Sequence, residues 1–216
     1  MYSRLVQAAA GRTVRGKGPR SKGLSPAVVI EAALIVINRD GLAALNFRRL
    51  AAELGVTTMA PYSHFSGKDQ MLDAVLEHVL GGLDDGLDAS APWDVQVESA
   101  MAGLHEALSR NPGVSDLILA RSEGDRLNDL RDVLVAVVVS AGLDEIEAVD
   151  ALRALVSYVL GFAVLTRAGQ PVTVRRGSVH SFEYGLAMLM DSLRRRVPSE
   201  FGPNAVPSID PNNPET

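Results

Sequence analysis

Residues 46–65 read NFRRLAAELGVTTMAPYSHF, and the order of residue types in that stretch sets the architecture around it. Asn46 carries a side-chain oxygen suited to capping free helical N–H groups. Leu50, Ala51 and Leu54 then fall on one face of a short helix. Ala51 is small, which permits close approach by a neighbouring helix. Gly55 supplies the backbone freedom for a sharp turn, and Val56 plugs the space behind it. A third short helix is predicted from about Thr58 to Phe65, with its first residues facing outward. This is helix-turn-helix logic, in which the start of the last helix reaches base edges in a major groove. Pro61 fits only the first turn of a helix. Thr58 as cap puts it at the third helical position, where no intrahelical N–H bond is lost.

Working outward, Ser25-Pro26 is a helix start: a capping hydroxyl, then a residue whose fixed φ suits the first position. Ile30, Ala33, Leu34 and Ile37 recur at helical spacing, and Gly41 closes the segment. A longer helix is predicted from near Lys68, with Met71, Leu72, Val75, Leu76, Val79, Leu80 and Leu83 inward. Further helices are expected at about Trp93–Arg110, Val114–Ala120, Arg126–Ala141, Glu145–Ala168 and Ser178–Arg196. Val133–Val139 is rich in β-branched residues and admits a short strand. No second run has strand character, so a buried helix is the better reading. The expected class is all-α: a three-helix N-terminal helix-turn-helix domain followed by a larger helical domain.

Charge divides the chain the same way. Its 216 residues carry 21 Lys/Arg and 26 Asp/Glu, a net charge of −5 that argues against a simple polycation. Residues 1–70 hold ten basic and four acidic residues, net +6; residues 71–216 hold eleven and twenty-two, net −11. A positive segment of short helices suits phosphate contact, and an acidic remainder would stand away from DNA. The bland alternative is an acidic soluble body with a basic tail. Residues 1–23 contain six Lys/Arg and four of the glycines, and read as a disordered basic arm. Residues 197–216 hold five prolines and read as a disordered tail. The domain limits are thus 1–23, 24–70, 71–196 and 197–216.

The quoted stretch resembles the TetR family of transcriptional regulators. The resemblance rests on Asn46, Arg48, Leu50-Ala51, Gly55-Val56, Tyr62-Ser63-His64-Phe65 and Lys68, and runs from about Leu24 to Leu80. Asn46 stands where the family usually has Thr or Ser, and Pro61 where it has an apolar residue. A weaker likeness to the family's effector-binding and dimerisation domains involves Trp93, Arg110-Asn111-Pro112, Ala141-Gly142-Leu143, Tyr158–Phe162 and Phe182–Leu186. The resemblance implies a cytoplasmic regulator, a repressor released from a palindromic double-stranded DNA operator by a small-molecule effector. Thr58, Met59 and Ala60 would face bases, and Asn46, Thr57 and Ser63 would also belong to the DNA-binding surface. Met59 and Ala60 offer only apolar contact, for example to a thymine methyl. Tyr62, His64 and Arg48 would fix register on phosphates, and Lys68 would add its charge to that of a helix N-terminus.

The same resemblance implies a homodimer built on the last two helices as a four-helix bundle. Leu152, Leu155, Val159, Leu186, Leu189 and Leu193 are the candidate contacts; the alternative is that they pack within one chain. An effector cavity is expected among the central helices, with Trp93, Met101, Leu104, His105, Leu117, Tyr158 and Phe162 as candidate lining, each also readable as core. The four histidines are isolated, so no metal site is expected, nor any cofactor. The chain has no Cys, which excludes disulfides and thiolate chemistry. Residues 11–18, GRTVRGKG, approach a phosphate-binding loop, but Gly18 stands where Ser or Thr must bind magnesium, and Pro19 follows. No membrane partner is expected: the longest apolar run, Leu134 to Leu143, is too short to span.

Overall fold

Helix α1 (Pro26–Asp40) begins where the Ser25 hydroxyl accepts a hydrogen bond from the Val28 N–H. It buries Val29, Ala33, Val36 and Ile37 and ends at Gly41, whose φ of 86° no ordinary side chain favours. A single 3-10 turn, Leu42–Ala44, leads to Asn46. The Asn46 side-chain oxygen accepts from the Arg49 N–H at 2.9 Å and starts α2 (Phe47–Leu54). Gly55, at φ 65°, closes α2 in the left-handed conformation, and the Val56 N–H returns to the Ala51 carbonyl. This computed structural model describes residues 24–85, 87–121, 125–167 and 178–198. The basic arm and the proline-rich tail beyond Pro198 lie outside the described residues, although Val197, assigned to the tail by sequence, is buried.

The third helix of the expected trio is not a full helix. Thr58–Ala60 form a turn and Pro61–Ser63 a 3-10 turn. Pro61 has no N–H to return to the Thr57 carbonyl, so Ala60 donates to it instead at 2.9 Å. That three-residue spacing tightens the whole segment. Thr58 therefore caps nothing; Ala60 occupies the cap position of the 3-10 turn, with no side-chain cap bond.

Helix α3 (Lys68–Leu80) follows, then a short α4 (Gly82–Asp85), α5 (Trp93–Arg110), α6 (Val114–Ala120), α7 (Asp125–Ser140), α8 (Glu145–Arg167) and α9 (Ser178–Arg194). Every described element is helical or a turn, and Val133–Val139 lies inside α7. Helix α1 packs with α2 and with α3, and α3 also meets α5, α6 and α7. The sequence boundary at residue 70 thus falls inside a helix that serves both parts. In the body, α8 packs against α5, α7 and α9.

Helix α6 ties the two parts together. The Gly113 N–H donates to Asn38 Oδ1 on α1, while Asn38 Nδ2 donates to Asn111. Arg167 at the end of α8 grips Asp116 with both guanidinium arms at 2.8 Å. At the other end, Arg121 pairs with Asp69 and Asp73 of α3 at 3.0 and 2.6 Å. A Cβ on Gly113 would sit 2.6 Å from the Ile37 carbonyl oxygen, so the backbones must part. Gly113→Ala is expected to cost about 1–3 kcal/mol by overpacking and to lower the thermal midpoint by several degrees. An unchanged midpoint in a calorimetric scan would contradict this contact.

Helix α8 is a longer apolar segment than Leu134–Leu143, of a kind that the core helix of a helical body also forms. Its 23 residues, with a mean hydropathy of 1.8 over the most apolar window, are long and apolar enough to cross a membrane by length and composition. Asp150, Arg153, Ser157 and Gly161 interrupt its apolar sequence without making the helix polar on average.

Candidate nucleic-acid interface and ligand core

The segment from Thr57 to Ser63 is largely exposed. Thr57, Thr58, Met59, Tyr62 and Ser63 are exposed there, Ala60 is half-buried and Pro61 is buried as the anchor. The Tyr62 ring stacks on Phe47 at 4.0 Å between centroids, with 14° between planes. One face of Tyr62 is thus fixed by a buried residue of α2, while the side chain keeps 45% of its exposure. The Ser63 hydroxyl donates to the Ala60 carbonyl at 2.7 Å and holds the turn closed. Phe65 is buried and His64 half-buried beside it. Gln70 accepts from both the Ser66 N–H and its hydroxyl, which fixes the approach to α3. Lys68 stands at the first position of α3, exposed, where unpaired backbone N–H groups and its own charge both attract an anion.

Charge is distributed differently from the whole-segment count. Residues 24–70 hold four basic residues, Arg39, Arg48, Arg49 and Lys68, and four acidic ones, Glu31, Asp40, Glu53 and Asp69. All of the +6 belongs to residues 1–23. Arg39 hydrogen-bonds Asp40 and Glu53, and Arg49 bonds Asp40 at 2.7 Å. Hydrogen bonds from Arg39 and then Arg49 hold the Asp40 carboxyl pKa at about 2, so the cluster stays ionised and internally neutralised. Arg48 and Lys68 are exposed and make no ion pair with described residues. They precede and follow the Thr57–Ser63 turn along the chain. The stack on Phe47 and the neutralisation of Arg49 were missed by sequence reasoning; Asp40 and Glu53 were the only available signal.

In the body, the six leucine and valine contacts expected at a dimer interface turn inward. Leu152, Leu155, Val159, Leu186 and Leu193 are buried within one chain, and Leu189 packs on the same core. The reason is that α8 is apolar on more than one side, and the stripe carrying Ala148, Leu152, Leu155, Val159 and Ala163 is the buried one. The outward stripe carries Ile146, Asp150, Ala154, Ser157, Gly161 and Leu165. On α9 the outward residues include Tyr184, Ala187, Met188 and Asp191. Tyr184 is 70% exposed and Met188 58%.

The expected effector lining also proves to be packed. Trp93, Met101, Leu104 and Leu117 are buried core. His105, Tyr158 and Phe162 do come together, joined by Phe182, which the sequence reading placed in a family-like stretch but not in the lining. His105 stacks on Phe182 at 3.7 Å and meets the Phe162 ring edge-on at 5.6 Å. Tyr158 donates its hydroxyl to the Phe182 carbonyl at 3.0 Å, and Gly185 leaves room for it. Burial pushes the His105 imidazole below its usual pKa, and its Nδ1 has no hydrogen-bond partner among the described residues. A separate groove of about 970 Å³ opens between α1, the end of α3 and α5, lined by Leu34, Ile35, His78, Val79, Leu83 and Glu106 among others. None of the seven expected lining residues borders it. No group of three or more His, Cys, Asp or Glu with metal-binding geometry occurs among the described residues.

Residues 29–75 match the family described as bacterial regulatory proteins, tetR family. The chain is 29% identical over 154 residues to the HTH-type transcriptional repressor DrrR1 of Streptomyces coeruleorubidus, a match covering 68% of this chain and 57% of that one. The match spans little more than half the length of that relative. Among solved structures, BioQ with its double-stranded DNA operator is 29% identical with a TM-score of 0.62, covering 79% of this chain and 98% of BioQ. A TetR variant from Acinetobacter baumannii in complex with minocycline is 26% identical with a TM-score of 0.68, covering 82% of this chain and 99% of that one.

Proposed function

We propose that this chain, whose residues 29–75 match the tetR family of bacterial regulatory proteins, is a member of that family and a cytoplasmic homodimeric repressor released from a palindromic operator by a small molecule. It acts as a DNA-binding regulator and not as an enzyme. The observation that carries the reading is the Thr57–Ser63 turn: exposed, pinned by the Phe47–Tyr62 stack and flanked in sequence by the uncommitted cations Arg48 and Lys68. An exposed turn held by a ring stack, with a phosphate-seeking group before and after it in the chain, suits a major groove. Residues 24–70 form the DNA-binding unit, with Asn46 setting the start of α2. Thr57, Thr58, Met59, Ala60 and Ser63 face the bases, and Arg48, Tyr62, His64 and Lys68 face the backbone.

A second copy covers the outward stripes of α8 and α9. The small residues Ala154, Ser157, Gly161 and Ala187 allow close helix approach, and Ile146, Leu165, Tyr184 and Met188 supply the apolar area. This also gives α8 its role as a core helix in an assembly rather than a membrane span. The effector enters the body beside His105, Tyr158, Phe162 and Phe182, where an unpaired imidazole nitrogen awaits a polar partner. It acts only by binding the released conformation better than the operator-bound one. Helix α6, fastened to α8 by Arg167 and to α3 by Arg121, links the body to the N-terminal unit.

The test is a gel shift on the DNA upstream of the chain's own coding sequence at several salt concentrations. Lys68→Ala is expected to reduce the slope of log affinity against log salt by roughly 2, one phosphate per protomer. Tyr62→Ala is expected to weaken binding at least tenfold. Binding that is insensitive to salt, or indifferent to both substitutions, overturns the assignment.

A further inference from the structure

We infer, resting on the DNA-binding reading above, that this chain recognises its operator through thymine methyl groups, with Met59 as the specificity-determining residue. Hydrogen-bond readout in the major groove uses Arg or Lys against guanine and Asn or Gln against adenine. None of those four residue types occurs from Leu50 to Gly67, the stretch that contains the whole DNA-facing turn. The polar groups of the turn are largely committed to holding its shape. The Ala60 N–H donates to the Thr57 carbonyl, the Ser63 hydroxyl donates to the Ala60 carbonyl, and Pro61 has no N–H to offer. Thr57 and Thr58 contribute single hydroxyls and cannot form the paired bonds that distinguish one purine from the other.

The apex of the turn is apolar. Met59 is 71% exposed, far beyond Val28, Ile35 or Tyr62, the other large exposed apolar residues of residues 24–70. Its exposure gains nothing for the fold, since an apolar side chain in water is stabilised only when something covers it. Methionine is unbranched and polarisable and moulds itself to an apolar partner. The one apolar group that the major groove presents is the thymine C5 methyl. Discrimination therefore falls on A·T pairs, and it is carried by shape and methyl burial while the phosphates supply the bulk of the affinity.

The experiment uses the full chain. Duplexes are selected from a random-sequence library, and the preferred one is remade with deoxyuridine in place of every thymine in the half-sites. Deoxyuridine keeps all hydrogen bonds of thymine and lacks only the methyl. The uridine duplex is expected to bind roughly tenfold more weakly, from one methyl contact in each half-site. Met59→Ala is expected to lower affinity for the thymine duplex to about that for the uridine duplex, with an unchanged salt slope, since Met59 meets no phosphate, and an unchanged thermal midpoint, since Met59 is exposed. Equal affinity for the two duplexes overturns the inference. So does a Met59→Ala variant that keeps the full preference, or a selection that returns half-sites defined by G·C pairs alone. A selection that enriches no duplex overturns the DNA-binding reading itself, which separates the two failures.

Discussion

Replacing Tyr184 and Met188 together by glutamate is expected to yield a folded monomer that binds its operator 10²- to 10⁴-fold more weakly, on the order of the gain from linking two half-sites. Both residues lie on the outward stripe of α9, exposed in the single chain, so the substitutions remove little from the protomer's own core. In a dimer they would place carboxylates against Ile146, Leu165 and the small residues of a partner's α8. An uncompensated buried charge is costly enough to separate the chains. The contrast variant is Leu152→Ala. Leu152 is buried under α8 within one chain, so its truncation is expected to lower the stability of the fold by about 2–5 kcal/mol. Sedimentation, thermal unfolding and a gel shift on the same samples distinguish the two. A glutamate variant that remains dimeric overturns the assignment of the outward stripe, and an L152A variant with unchanged stability overturns the inward one.

Deleting residues 1–23 is expected to have a comparably large effect on DNA binding through a different term. The remaining DNA-binding unit is electrically neutral, with two of its four cations tied up by Asp40 and Glu53. Residues 1–23 hold six Lys/Arg and no acidic residue. If about half of those charges in each protomer meet phosphates, the slope of log affinity against log salt falls by about 5 on deletion. Intact protein then loses roughly a thousandfold in affinity between about 50 and 200 mM salt beyond what the truncated protein loses. Sequence preference is expected to survive, because the base-facing turn is untouched. The measurement is the salt slope of both proteins on one duplex, with the thermal midpoint confirming that the truncated chain folds. An unchanged slope would place the electrostatic contacts within residues 24–70 after all.

The helix-turn-helix region was readable because its signals are local. A capping residue such as Ser25 or Asn46 acts on N–H groups three residues away, and Gly55 relieves a conformation at its own position. Pro61 shows where such reading stops short. Its missing N–H was recognised, and a first-turn position was the natural accommodation. The structure instead abandons the α spacing and folds residues 58–63 into tighter turns. The effector core was half legible: His105, Tyr158 and Phe162 meet, but Phe182 completes the cluster from α9.

What the sequence by itself determined was the class, the order of the helices and the segment that faces outward, since each follows from residues within a few positions of one another. Tertiary structure decided which side of α8 and α9 turns inward, and which cations stay free. Both are contests between distant groups. Helix α8 is apolar around most of its circumference, so periodicity offers no single face, and the stripe carrying Leu152, Leu155 and Val159 is buried as α8 packs on α5 and α7, while Ala154, Ser157 and Gly161 are left outside. Arg39 and Arg49 count as positive in any composition, yet the packing of α1 on α2 sets them beside Asp40 and Glu53 and cancels their charge, which leaves the chain's positive field to its first residues.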